Sequence, residues 1–369
     1  MKVLRDLDVE DKIVLVRVDY NVPLELDDAG EWQVASDLRI RASLPTLRYL
    51  REHGAKKIIL ISHLGRPSVK EQALSLAPVA ERLAWLLAEG GGATDEDSVV
   101  PPSVDFIDHL DVKGVKSAID KLPKGGIILL ENLRFDPREK ANDIDFAREL
   151  IDATGAEIFV QDGFAVTHRA HTSTDALAKL LPSAAGFLVE KEIEGLSQAI
   201  QDPEHPFVVI IGGAKVEDKQ PLIDEFKSSA DQILVGGKIA ADGYKTDDPK
   251  IYVAEDFDED ADGNKLDIGP LATAKFLEVL STAKTVLWNG VLGKTEDPAF
   301  ATSSEMIAKY LGEHNGEIKT IICGGDTTGF VENLTEKYPD LGFSLISTGG
   351  GAALEFLLGN KMPGIEVLE

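Results

Sequence analysis

The sequence holds a single cysteine, Cys323, in 369 residues, which excludes an intrachain disulfide and suits a reducing compartment. No apolar run reaches the length that a bilayer-spanning helix needs. The first residues, "MKVLRDLDVEDKIVL", carry charges throughout and lack the apolar centre of a signal peptide. The expected location is the cytoplasm, away from membranes. Positive charge is scarce, with 38 Lys and Arg against 64 Asp and Glu, for a net charge of −26. A nucleic-acid partner would want a basic face, so that class is set aside. Arginine is missing altogether from the last two hundred residues, because all twelve lie between Arg5 and Arg169.

Several catalytic signatures are missing as well. "IIGGAKVEDK" has the strand–glycine–lysine look of a phosphate loop but not the Gly-x-x-x-x-Gly-Lys-Ser/Thr spacing. There is no Gly-x-Ser-x-Gly elbow, no His-Glu-x-x-His zinc motif and no His-Arg-Asp kinase loop. Covalent acyl chemistry and zinc hydrolysis are therefore poor readings.

What is present is regular alternation. The length exceeds one usual hydrophobic core, so two domains are expected. β-Branched apolar runs alternate with amphipathic stretches, which reads as α/β with parallel sheets. The first half offers "KIVLVRVDYN", "KKIILISHLGR", "GIILLENLRF" and "EIFVQDGFAV". The second offers "FVVIIGGAK", "QILVGGK", "TVLWNGVLG", "TIICGGDT" and "FSLISTGGG". Residues 184–200 read as one helix joining domains 1–183 and 201–353.

Ligands of open parallel sheets bind beyond the carboxyl ends of the strands. In the first domain those ends carry Asp19, Asn21, His63, Arg66, Asn132, Arg134, His168, Arg169 and His171. In the second they carry glycines: Gly212-Gly213, Gly236-Gly237, Asn289-Gly290, Gly324-Gly325 and Gly349-Gly350-Gly351. Arginine forks grip carboxylate and phosphate oxygens, whereas bare glycine backbone lets N–H groups approach phosphates. A small anion in the first domain and a nucleotide in the second is the natural reading. Two anionic ligands facing across a cleft point to phosphoryl transfer, which asks for positioning and charge neutralisation. Lys215 or Lys219 could stabilise the moving group, and Asp326 could hold magnesium through the nucleotide.

The segments "RVDYNVPL", "SHLGRP", "LLENLRF", "THRAHTST", "IIGGAKVEDK", "LDIGP", "WNG", "GGDT" and "STGGGAALE", in this order, resemble phosphoglycerate kinase along nearly the whole chain. The resemblance implies two Rossmann-like doubly wound domains joined by a helix, with residues 354–369 returning to the first. It implies reversible transfer of the acyl phosphate of 1,3-bisphosphoglycerate to MgADP, giving 3-phosphoglycerate and MgATP, by a monomer. It places 3-phosphoglycerate on Asp19, Asn21, Arg39, His63, Arg66, Arg134 and Arg169, with Arg39 at the reacting carboxyl. It gives Lys215 to the transferring phosphoryl group and Lys219 to nucleotide phosphates. Gly213, Gly237, Asn289 and Gly325 fall on the nucleotide side, Glu296 on the ribose, and Asp326 and Thr327 on the metal and phosphates. Gly349 and Gly350 would shield the transition state.

The departures cluster on the nucleotide side. "LVGGKIAADGY" lacks the usual small residue and Met-Ala, and residues 245–264 run quickly to "LDIGP" where relatives have a further helix and strand. Val291 stands where proline is usual and Cys323 where glycine is common. Near His168, Gln161, Gly163, Ala165 and Val166 replace the commoner lead-in. An active enzyme with relaxed nucleotide choice is expected. The competing readings are a kinase for another phosphorylated acid and a weakly active nucleotide-binding protein. "DEDADGNKL" starts like a calcium loop, but its twelfth position is Gly269, so an acidic hairpin turn is expected there.

Overall fold

A computed structural model describes residues 1–89 and 103–369. The chain divides into two compact units, Met1–Lys191 with Lys361–Glu369, and Glu192–Asn360.

In unit 1 the chain runs β1 (Ile13–Val18), a hairpin of β2 (Leu24–Leu26) and β3 (Trp32–Val34), α1 (Leu38–Glu52), β4 (Lys57–Ile61) and α2 (Ala77–Glu89). It continues through β5 (Val104–Ile107), α3 (Val112–Lys121), β6 (Gly126–Leu130), α4 (Ile144–Thr154) and β7 (Ile158–Asp162). Then follow α5 (Leu177–Leu180), β8 (Ser183–Ala185) and α6 (Phe187–Gln201), which belongs to unit 1 up to Lys191 and to unit 2 from Glu192. The sheet is parallel, ordered β5-β6-β4-β1-β7-β8. Every residue of β7 is buried, as is expected of a strand covered on both faces.

Unit 2 contains β9 (Phe207–Ile211), α7 (Val216–Phe226), β10 (Gln232–Val235), α8 (Gly237–Ala241) and β11 (Ile251–Val253). The hairpin β12 (Phe257–Glu259) and β13 (Lys265–Ile268) leads to α9 (Pro270–Leu280), β14 (Thr285–Asn289), α10 (Thr302–Glu313) and β15 (Lys319–Cys323). Last come α11 (Gly325–Lys337), β16 (Leu345–Ile346) and α12 (Gly351–Leu357), before α13 (Pro363–Glu366) in unit 1. The sheet order β11-β10-β9-β14-β15-β16 is that of a dinucleotide-binding fold, with its direction reversing between β9 and β14. In unit 1 the equivalent reversal lies between β1 and β7. Each reversal leaves a crevice at the strands' carboxyl ends, and both clusters described below lie there.

Two boundaries differ from the sequence reading. The expected helix over 184–200 forms as Phe187–Gln201, because 183–185 first pair with β7 as an edge strand. The returning segment begins at Lys361 rather than at 354, since α12 stays in unit 2 and the chain turns at Gly359 with φ +67°. The acidic stretch is a hairpin turn, closed by the Asp260 carboxylate accepting N–H bonds from Asp262 and Asn264.

Candidate active site

The first cluster sits at the β1/β7 reversal. Asp19 follows β1 and accepts a 2.5 Å bond from Arg39 Nη1 on the first turn of α1. Asn21 Oδ1 accepts from the Gly65 N–H at 2.8 Å, and Arg134 Nη1 donates to the Gly65 carbonyl at 2.7 Å. One loop therefore ties together the ends of β1, β4 and β6. Gly163, after β7, lies so close to β1 that a Cβ would come 3.3 Å from the Asp19 nitrogen. Arg169 Nε donates to His168 Nε2 at 2.9 Å. Arg66 is exposed at the rim, next to Gly65.

Beneath this surface lies a residue that the sequence did not single out. Arg17, in β1, is fully buried. Its Nε donates to Ser173 Oγ at 2.8 Å, and Ser173 Oγ donates to the buried Glu139 carboxylate at 2.6 Å. Its Nη2 lies 3.0 Å from His63 Nδ1. A guanidinium only donates, so Nδ1 must accept, and the His63 proton sits on Nε2. His63 is thereby fixed as a neutral donor. Burial, then Arg17, Arg134 and Arg39, hold its pKa well below the usual histidine value. Burial, then Arg134, Arg17 and Arg169, lower His171 to about 4, and burial with Arg17 and Arg169 brings Arg134 down to about 10. The cations crowd one another, and an anion among them would relieve that cost.

The second cluster surrounds a cavity of about 510 Å³ at the β9/β14 reversal. Gly212 donates to the Asn289 carbonyl and Gly213 to that of Val291, both at 2.9 Å, which zips the two turns together. No side chain fits between them: a Cβ on Gly212 or Gly290 would run into the other's backbone. Gly290 N–H donates to the buried Thr327 hydroxyl at 2.7 Å, which fastens this turn to α11. The first turns of α7 and α11 open into the cavity, and N–H groups there have no acceptor within the helix. Lys215 is exposed at the start of α7, and Asp326 is exposed on the first turn of α11. The Lys219 ammonium donates to Asn289 Oδ1.

Of the residues expected on the nucleotide side, Gly213, Lys215, Lys219, Asn289, Gly325, Asp326, Thr327 and Gly350 line this one cavity. Gly237 lies behind it, with its Cβ position 2.9 Å from the Gly213 nitrogen, and Gly349 is buried beside it. Glu296 is exposed on the loop after β14 and is not in the lining. The sequence reading missed Leu354 and Leu358, an apolar wall from the end of α12. Their spacing of four, after the glycine triplet, was the available signal. Asp326 and Glu217 are the carboxylates of the lining, and among the described residues no three acidic, histidine or cysteine groups gather as a metal site. A hard cation bound here would take most of its oxygen ligands from phosphate and water.

The family model for phosphoglycerate kinase matches residues 4–251 and 241–360. Phosphoglycerate kinase of Moorella thermoacetica is 41% identical over 411 residues, covering 99% of this chain and 98% of the relative. That of Roseiflexus sp. (strain RS-1) is 39% identical over 415 residues, covering 100% and 98%. An alignment of 415 positions to 369 residues leaves at least 46 positions (415 less 369) of that relative without a counterpart. The two family matches overlap at 241–251, between α8 and β11, where the sequence runs short. Phosphoglycerate kinase from Pyrococcus horikoshii OT3 superposes with a TM-score of 0.83 at 28% identity, covering 100% of this chain and 98% of that one. The Coxiella burnetii structure gives 0.75 at 29%, covering 99% and 98%.

Proposed function

The chain belongs to the phosphoglycerate kinase family, and from that premise we propose which of its residues carry the reaction. It is a glycolytic phosphotransferase, moving the acyl phosphate of 1,3-bisphosphoglycerate reversibly to ADP and leaving 3-phosphoglycerate and ATP. The observation that carries our assignment is the division of labour between the reversals. Guanidinium and imidazole donors gather at one, and lysines over a glycine floor gather at the other.

In our reading 3-phosphoglycerate binds Asp19, Asn21, Arg39, His63, Arg66, Arg134 and Arg169, with His63 donating from Nε2. Asp19 takes one N–H of Arg39 and leaves the guanidinium oriented, with further donors for the reacting carboxylate. That carboxylate is already an oxyanion, so the step needs no general base. Lys215 stabilises the phosphoryl group in transit, and Lys219 and Asn289 hold nucleotide phosphates. Backbone at Gly349 and Gly350 lies beside the transferring group. Asp326 would hold Mg²⁺ together with phosphate oxygens, and the ion would neutralise their charge. We place the enzyme in the cytoplasm as a monomer. Among the described residues no helix is long and apolar enough to cross a membrane.

The test is a coupled assay from 3-phosphoglycerate and ATP with magnesium. Lys215→Ala is expected to lower kcat about 10²–10³-fold with both KM values little changed. A near-wild-type rate would overturn the role given to Lys215. Run with GDP and ADP in the reverse direction, the same assay reads the effect of the shortened 241–251 segment. The two are expected within about tenfold of each other in kcat/KM, and a wider gap favouring ADP would remove the proposal of relaxed choice.

A further inference from the structure

We propose that Cys323 is a positioning residue for nucleotide binding, acting through the Asn289 amide on Lys219. The inference rests on reading the unit 2 cavity as the nucleotide site. Asn289 and Cys323 are register partners at the ends of β14 and β15, so their side chains share one face of the sheet. Both are buried, Asn289 to 1% and Cys323 to 0% exposure. Asn289 Nδ2 lies 3.2 Å from Cys323 Sγ, and Asn289 Oδ1 accepts from the Lys219 ammonium.

This orientation is dictated by the donors. An ammonium has only N–H groups to offer, so the amide oxygen must face Lys219. The amide nitrogen then faces the sulfur, which must accept. Burial pushes the thiol up to about 11, so Cys323 stays neutral and accepts through a sulfur lone pair. Two glycines complete the arrangement. Gly324, at φ +92°, lies so close to the amide that a Cβ there would come 3.1 Å from Asn289 Nδ2. Gly213 leaves room for the lysine stem, with its Cβ position 3.4 Å from Lys219 Cε. The ammonium is thus held at the cavity wall by a chain that ends on the sulfur. Glycine at 323 would leave the amide N–H without that acceptor.

Two matched pairs of variants separate the hydrogen bond from the volume: Cys323→Ser against Cys323→Ala, and Cys323→Thr against Cys323→Val. Within each pair the hydroxyl member is expected to stay within threefold of wild type, roughly 0.65 kcal/mol. The apolar member is expected to raise KM for ADP about tenfold while leaving KM for 3-phosphoglycerate unchanged. If one pair fails to fold, as judged by thermal unfolding, the other decides. In an Asn289→Ala background Cys323→Val should have no further effect on KM for ADP. Equal KM values within both pairs, or additive losses in that background, would overturn the proposal. Wild-type enzyme that binds no MgADP by calorimetry would instead overturn the reading of the cavity.

Discussion

At the scale of single residues, Arg17 does the most with the least exposure. Its guanidinium lies between the Ser173–Glu139 pair and His63, and each of those groups is buried. Replacing it with methionine takes one of two guanidinium charges, the other being Arg134, away from the buried Glu139 carboxylate, a change that costs about 3–5 kcal/mol. Glu139→Gln in the same chain should return more than half of that, measured by urea denaturation of the four proteins of the cycle. A loss that persists undiminished would mean that packing, not charge, is the cause. The double variant also frees His63 to take the other tautomer, and a raised KM for 3-phosphoglycerate is the expected signature. None of this was legible in "IVLVRV", where a polar residue between valines reads as the solvent face of a strand. The partners that explain it, Ser173 and Glu139, lie far along the chain in stretches that look like surface. Asp19, Asn21 and His63 could be placed at strand ends because each comes within three residues of the end of an apolar run.

At the scale of elements, the central strands could be read and several edges could not. β5 ("VDFI"), β8 ("SAA") and β11 ("IYV") are three or four residues long and lack the continuous apolar run of strands covered on both faces. The start of α6 also carries a device invisible in sequence. Asp162 ends β7, is fully buried, and accepts the Leu188 N–H at 3.0 Å through Oδ1, while Oδ2 has no hydrogen-bond partner. Burial raises its pKa to about 8. The folded chain then keeps a proton that the unfolded chain has lost above 3.8, so this group's contribution to stability falls as pH rises from about 4 to about 8. His63 and His171 act the other way, favouring the folded state more as pH rises through the acid range to 6.5. They are common to both proteins in a comparison with Asp162→Asn. That variant should gain on wild type between pH 5 and pH 8, by at most about 1.4 kcal/mol per pH unit. Parallel melting curves against pH would show instead that the carboxyl is ionised in the folded protein.

At the scale of the whole molecule, the family-level pattern was legible because its segments keep their order, and the quick run from 245 to "LDIGP" already showed the chain to be short there. The split family match and the length of the alignments agree, with the overlap falling between α8 and β11. The return of Lys361–Glu369 to unit 1 is a second property of the chain as a whole. Met362, Ile365 and Leu368 are buried there. Gly364 N–H holds the Thr167 carbonyl at 2.9 Å, just before His168 and Arg169. Removing 361–369 should cost unit 1 about 5 kcal/mol or more and abolish 3-phosphoglycerate binding, while ADP binding to unit 2 persists; titration calorimetry with each ligand checks both. Retained 3-phosphoglycerate affinity would show that the loop bearing Arg169 stands without this prop. The same arrangement sets an order in time. The residues that complete unit 1 leave the ribosome only after all of unit 2, so a nascent chain can bury the core of unit 2 before the loop bearing Arg169 is secured.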